Sequence, residues 1–399
     1  MNKLFIFFYI IVFSFSNICA MENPFLKKYN TEFEIPPFSK IDESDFMPAF
    51  TMGIEAHKKE IDSIIKNSEN PSFENVIIAL EKSGSLLDRV GAVFFNLSGS
   101  TSNEEIQNIE KDISPILSQH YDSISLNPKI FKKIKYLWDN IDNLNLSIEE
   151  RKILEEKYKN FIRNGALLEG DDKEKYSSIN QEISKLSVEF SQNLLAETNN
   201  FEIILNENDL DGLTDDIIAL AKEEAYKKYK ETKDSIYKDK YIFTPHRSSL
   251  YPFLTYSKRR DLRERLYKGY IMRGDNNNEF DNKEITAKIS SLRVERANLL
   301  NFETHAHYVL DNTMAKTPEA VYGLLDQLWQ PALSRASKEL EELQSLVNKE
   351  GGNFKIASWD WWYYSEKLRK EKYDLNYEEL KEFFTLDNTI DGIFKTANK

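Results

Sequence analysis

Apolar residues recur along this chain at intervals of three and four, the spacing that keeps one face of an α-helix apolar. After Asn103 the apolar positions are Ile106, Ile109, Ile113, Ile116 and Leu117, and Asn103 with Glu104 and Glu105 supplies a cap and an acidic first turn. Asn70-Pro71 reads as the opening of another helix, with Val76, Ile77, Leu80, Leu87, Val90, Phe94 and Leu97 along one side. Ser147 and Glu150 form a capping box for a helix towards Phe161. Asp171 to Leu195 reads as a long helix with the stripe Ile179, Ile183, Leu186, Phe190 and Leu194.

One region departs from this period. Phe201 to Leu205 and Tyr241 to Thr244 are β-prone, and a helix from about Thr214 to Lys230 lies between them. The pattern predicts a small strand pair flanking one helix, acting as a hinge, with a helical lobe over 21–200 and a second region over 201–399. Helices follow over Ser257–Met272 and Glu284–Leu300. Thr317-Pro318-Glu319 starts a helix with the stripe Val321, Leu324, Leu325, Leu328 and Trp329. Pro331 is expected to kink or interrupt it before it ends at Gly351-Gly352. Ser358 is expected to cap a helix from Trp359 to Lys372, and Asn376 or Tyr377 to start a short one to Phe384. The fold class is therefore mainly α with a minor β element.

The first twenty residues are a separate object. Lys3 precedes the apolar run Leu4–Phe15, and Ser16 to Ala20 offers a small residue before a cut at Ala20/Met21. That is the layout of an export signal, too short to span a bilayer, so the expected location is exported and periplasmic with no membrane association after cleavage. The only cysteine is Cys19, inside this segment, which excludes a disulfide framework, a thiolate nucleophile and a cysteine metal site in the mature chain. The net charge of −13 argues against a nucleic-acid partner. The basic stretch Lys258, Arg259, Arg260, Arg263 and Arg265 is interleaved with Asp261 and Glu264 and reads as a self-paired helix face.

Candidate chemistry is sparse. No HExxH occurs, and neither does GxSxG, GxxxxGK[ST] or GxGxxG. The five histidines are His57, His120, His246, His305 and His307. His305 and His307 fall in a stretch, Asn301–Met314, that looks helical, where positions two apart diverge by about 200°. His57 sits beside Lys58 and Lys59 and is placed on a polar face; His120 falls on or beside a buried stripe. No catalytic residue and no metal ligand is assigned. The string Trp359-Asp360-Trp361-Trp362-Tyr363-Tyr364 has two readings: a packing stripe, or a wall gripping a peptide with Trp359, Asp360 and Tyr363 lining a cleft.

Several strings occur together in one order: Asn23-Pro24-Phe25, Pro36-Pro37-Phe38, Pro71-Ser72-Phe73-Glu74-Asn75, Phe94-Phe95-Asn96-Leu97, Arg163-Asn164-Gly165-Ala166, Met314-Ala315-Lys316-Thr317-Pro318, the aromatic string, and Leu386-Asp387-Asn388. With them the chain resembles the zinc metallopeptidase family of peptidyl-dipeptidase, oligopeptidase A and thimet oligopeptidase, and most of all the bacterial peptidyl-dipeptidases. The resemblance implies a two-lobed helical body with a channel for short peptides. It also implies release of dipeptides from peptide C-termini, with zinc held by HExxH and a further glutamate. None of those ligands has a counterpart here. Asp387 to Phe394 begins an amphipathic helix five residues before Lys399, so residues 201–399 are expected to be the first, truncated part of the peptidase domain. The chain is then expected to be inactive alone, with short peptides or a separately encoded C-terminal half as partners. The alternative is a non-catalytic helical binding protein derived from that family.

Overall fold

The computed structural model describes residues 23–373, 380 and 382–399. The export segment over 1–20 and the helix start expected at Asn376 or Tyr377 lie outside the described residues. Helices dominate: α1 (Phe46–Lys66), α2 (Ser85–Ser100), α3 (Glu104–Ser125), α4 (Pro128–Asp139), α5 (Ile148–Arg163) and α6 (Asp171–Asn200) come first. Strand β1 (Ile203–Leu205), α7 (Asp215–Thr232) and strand β2 (Tyr241–Phe243) follow. Then come α8 (Arg247–Tyr256), α9 (Arg260–Ile271), α10 (Lys283–Leu299), α11 (His305–Leu310), α12 (Pro318–Lys349), α13 (Trp361–Tyr373) and α14 (Leu386–Ala397). The expected strand pair is present, antiparallel, with Ile204 opposite Ile242.

Packing divides the chain into two units. One takes residues up to Gln192 and again Glu284–Pro318; the other takes Asn193–Lys283 and Glu319–Lys399. In the first unit Phe25, Phe46, Phe50 and Phe94 form an aromatic core, with Phe94 edge-on to both Phe46 (5.1 Å) and Phe50 (5.3 Å). A second cluster joins Phe73, Val76, Ile77, Ile130, Ile134 and Leu154. Ile179, Ile183 and Leu186 of α6 pack on Ile285, Ile289 and Leu292 of α10, which is why the stripe read on α6 is apolar. In the second unit the inward faces of β1 and β2 pack against Leu250, Phe253, Leu262 and Leu266. A smaller cluster joins Leu343, Leu346 and Val347 to Tyr364.

Local signals explain many boundaries. The Asn103 side chain accepts the Ile106 N–H at 2.9 Å, and Ser147 and Glu150 cap each other's backbone as the sequence predicts. The helix expected from Asn70-Pro71 differs in two ways. Its cap is Ser72, whose hydroxyl accepts the Asn75 N–H, and it breaks at Ser83-Gly84. Gly84 has φ +81° and donates its N–H to Glu60 Oε2 at 2.7 Å, so the left-handed residue ends one helix and begins α2. Ile116 is exposed rather than part of the buried stripe of α3. Pro331 does not interrupt α12: the carbonyl it frees lies in a turn that is exposed to water. The helical part of 301–314 is only His305–Leu310.

Candidate functional site

The aromatic string begins in a tight turn rather than in the helix expected from Trp359. Ser358–Asp360 form a 3-10 turn and α13 starts at Trp361. The turn places Asp360 against two arginines one helical turn apart on α9. Asp360 Oδ1 accepts from Arg260 Nε (3.0 Å) and Arg263 Nη2 (2.8 Å); Oδ2 accepts from Arg260 Nη2 (2.8 Å) and the Ala357 N–H (3.1 Å). Arg263 donates further to the carbonyls of Ser257 (2.7 Å) and Trp359 (3.2 Å). The Arg263 guanidinium lies 4.2 Å from the Tyr363 ring centroid, and that of Arg260 lies 4.2 Å from Phe354.

The three residues read as a candidate cleft wall are thus brought together, but around guanidinium groups. Asp360 is 0% exposed, and its carboxylate is taken up by the two arginines and the Ala357 N–H. Trp359 and Tyr363 are half-buried, Trp359 between Tyr267, Arg260 and Lys268, Tyr363 between Arg263, Tyr364 and Lys367. Trp362 packs on Tyr251 and Tyr267.

Sequence reasoning missed a histidine pair. His57 is buried, not on a polar face: with Phe50, Ile54, Ile61 and Ile64 it continues the inward stripe of α1. That spacing was available in the sequence, and the neighbouring lysines masked it. His120 Nε2 lies 3.0 Å from His57 Nδ1, His57 Nε2 lies 3.2 Å from Ser83 Oγ, and Ser83 Oγ donates to the Leu80 carbonyl at 2.7 Å. Since the serine proton is committed to Leu80, Ser83 accepts from His57, and His57 Nδ1 accepts from His120. His57 is then neutral, and His120 Nδ1 is buried with no partner, which disfavours a proton there. Burial, His57 and Lys58 push the His120 pKa down to about 4. Burial also lowers that of His57, against the pull of Glu60 and Asp88.

Another buried polar cluster lies beside α6 in the same unit. Asp122 Oδ1 accepts from Asn180 Nδ2 at 3.0 Å, and Arg296 Nη1 donates to Asn180 Oδ1 at 3.0 Å. Asp122 Oδ2 and Arg296 Nε find no protein partner. Burial raises the Asp122 pKa to about 6 against the opposing hydrogen bonds from Asn180 and Ser177 and the charge of Arg296. Arg163, from the Arg163–Ala166 string, ties down α11: it donates to Asp311 Oδ2 (2.6 Å) and to the Tyr308 carbonyl (2.8 Å). His307 Nδ1 pairs with Thr304 Oγ1 at 2.9 Å, and His305 Nδ1 is buried without a partner.

A zinc site needs three or four convergent donors. Among the described residues no group of three His, Cys, Asp or Glu side chains could hold a metal. His57 and His120 are engaged with each other, and His307 with Thr304. The donor set among the described residues does not fit zinc. No helix among the described residues is long and apolar enough to cross a membrane.

Residues 253–399 match peptidase family M3. The chain is 32% identical over 379 residues to a dipeptidyl carboxypeptidase of Escherichia coli, covering 94% of this chain and 55% of that protein. It is 30% identical over 385 residues to an oligopeptidase A of Haemophilus influenzae, covering 95% and 55%. Saccharolysin of Saccharomyces cerevisiae is 27% identical over 335 residues, covering 82% and 45%. The chain therefore belongs to peptidase family M3, and it spans about half the length of the curated relatives it matches.

Proposed function

We propose that these 399 residues are the non-metal-binding part of an exported zinc metallopeptidase that releases dipeptides from the C-termini of short peptides. The observation that carries this reading is the likeness to a dipeptidyl carboxypeptidase along 94% of the chain. The zinc ligands and the general base come from polypeptide other than these residues, because HExxH is absent from them. The described part then serves as scaffold: Asp360 and its arginines fix α9 to the aromatic turn, and Arg163 fixes α11. Alone, the chain leaves peptides intact. Export rests on the run Leu4–Phe15 behind Lys3.

The test is an assay of dipeptide release from an N-terminally blocked short peptide with zinc present. The 399-residue chain alone should release none. Co-expressed with the portion of the Escherichia coli relative that it does not match, it should release dipeptides in a chelator-sensitive way. Hydrolysis by the purified chain alone would overturn the reading, and so would release of products other than dipeptides by the pair.

A further inference from the structure

We infer that the second unit holds a binding site for a small carboxylic acid with an apolar body, set between the end of α6, α9 and the loop that follows α9. A cavity of about 460 Å³ opens there, within the size range of small-ligand sites. Its apolar surface comes from Phe201, Met272 and Phe280, and its polar edge from Arg265, Arg273 and Asn200. All six residues lie in the second unit. Gly269 shapes the floor: a Cβ there would stand 2.3 Å from the Phe201 ring, so the bare backbone of α9 is what lets the ring lie against the helix.

The polar edge carries donors that the chain itself does not use. Arg265 is exposed and makes no hydrogen bond or ion pair with any described residue. Arg273 commits Nε to the Tyr270 carbonyl (2.8 Å) and Nη1 to Thr198 Oγ1 (2.7 Å). Those two bonds fix the guanidinium and leave Nη2 without a bond among the described residues. The Asn200 side chain is likewise unpaired among them. An arginine already held by two of its nitrogens offers the third at little further entropic cost, and a guanidinium fork matches the two oxygens of a carboxylate.

The charges around the cavity select a monoanion. Lys268, also on its rim, is taken by Glu264 at 2.6 Å. Glu197 lines the cavity and is only 6% exposed. Burial works against its charge, but hydrogen bonds from the Asn276 amide (2.9 Å), the Gly274 N–H and the Asn278 amide (2.6 Å) outweigh it and hold its pKa below the usual carboxylate range. Those donors are neutral, so the charge of Glu197 remains. Two guanidinium groups against one carboxylate leave a surplus of one positive charge, in a chain whose net charge is −13. A single carboxylate balances that surplus; a dianion such as a phosphate monoester exceeds it and is repelled by Glu197. The apolar body of the acid then covers Phe201, Met272 and Phe280. The site goes beyond the peptidase reading and stands whether or not that reading holds.

The experiment titrates the full chain calorimetrically with N-acetyl-phenylalanine as the probe. It should bind at one site, and N-acetyl-phenylalanine amide, which lacks the charge, should bind at least tenfold more weakly. Arg265→Gln and Arg273→Gln should each weaken binding of the acid at least fivefold. Arg265 is exposed and unpaired, so Arg265→Gln should unfold at the same denaturant concentration as the parent, and its loss of binding is then a loss of contact. Arg247→Gln, which removes an exposed arginine of α8 outside the cavity, should leave binding unchanged and so controls for net charge. An N-acetylated pentapeptide ending in phenylalanine tells the source of the carboxylate apart: affinity equal to that of the single residue assigns the site to peptide ends, and loss of affinity assigns it to free acids. No saturable binding of the acid, equal binding of acid and amide, or binding that persists in Arg265→Gln would overturn the inference.

Discussion

Arg263 and Asp360 form an ion pair that water does not reach: Arg263 Nη2 stands 2.8 Å from Asp360 Oδ1, with Arg263 1% and Asp360 0% exposed. Such a pair contributes little over well-packed apolar residues, but removing one partner strands the other charge. Asp360→Ala should therefore destabilise the second unit by about 3–5 kcal/mol. Arg263→Met in the Asp360→Ala background should recover part of that loss, because the stranded guanidinium goes with it. Denaturant unfolding followed by tryptophan fluorescence reads both; a loss below about 1 kcal/mol for Asp360→Ala would show that the pair is not buried in solution.

The His57–His120 relay sets an acid limit on the first unit. The folded pKa of His120 is lowered from 6.5 to about 4, so its contribution to stability is complete above the unfolded value and falls as pH drops from about 6.5 towards 4. The loss should reach about 3 kcal/mol at most. Its structural origin is His120 Nδ1, which on protonation becomes a buried donor with no acceptor. His120→Phe should flatten the stability profile between pH 4 and 6.5, measured by thermal unfolding at several pH values. An unchanged slope would assign the acid limit to other groups.

Asp122 acts with the opposite sign. Its folded pKa is raised from 3.8 to about 6, so stability present below pH 3.8 is lost as pH rises to about 6 and stays lost above it. Asp122→Asn keeps an oxygen for Asn180 and removes the buried charge. The variant should gain about 1–3 kcal/mol at pH 8 and nothing at pH 3, by the same unfolding series. A variant less stable than the parent at pH 8 would show that the charge is compensated there.

Gly84 is one of the positions in the first unit where a side chain would be strained. Its φ is +81°, and a Cβ would lie 2.9 Å from the His57 ring. Gly84→Ala should cost more than about 1 kcal/mol, the usual cost of the left-handed conformation, because the ring must also move. The histidine carbon resonances of His57 and His120 should shift in the same variant. A shift at neither ring would mean that Gly84 and His57 are not in contact.

Much of the fold was legible in the sequence because it rests on local signals. The caps at Asn103 and Ser147 and the β-prone runs around Ile204 and Ile242 each carry their own chemistry within a few residues. The break at Gly84 carried a local signal, the Ser83-Gly84 dipeptide, but the apolar pattern continuing on both sides of it pointed to one unbroken helix, and the Glu60 carboxylate that accepts the Gly84 N–H lies 24 residues earlier. Likewise Asp360 looked available for a ligand until Arg260 and Arg263, about 100 residues earlier, came into contact with it. His57 carried a readable signal, the stripe from Phe50 to Ile64, but the adjacent Lys58 and Lys59 pointed the other way.

The most direct test of the account is the zinc content of the purified 399-residue chain after dialysis against micromolar zinc at neutral pH. The account predicts far less than one zinc per chain, with no change on His57→Ala or His120→Ala beyond their effect on stability. One zinc per chain, retained through gel filtration and lost with either histidine, would contradict it.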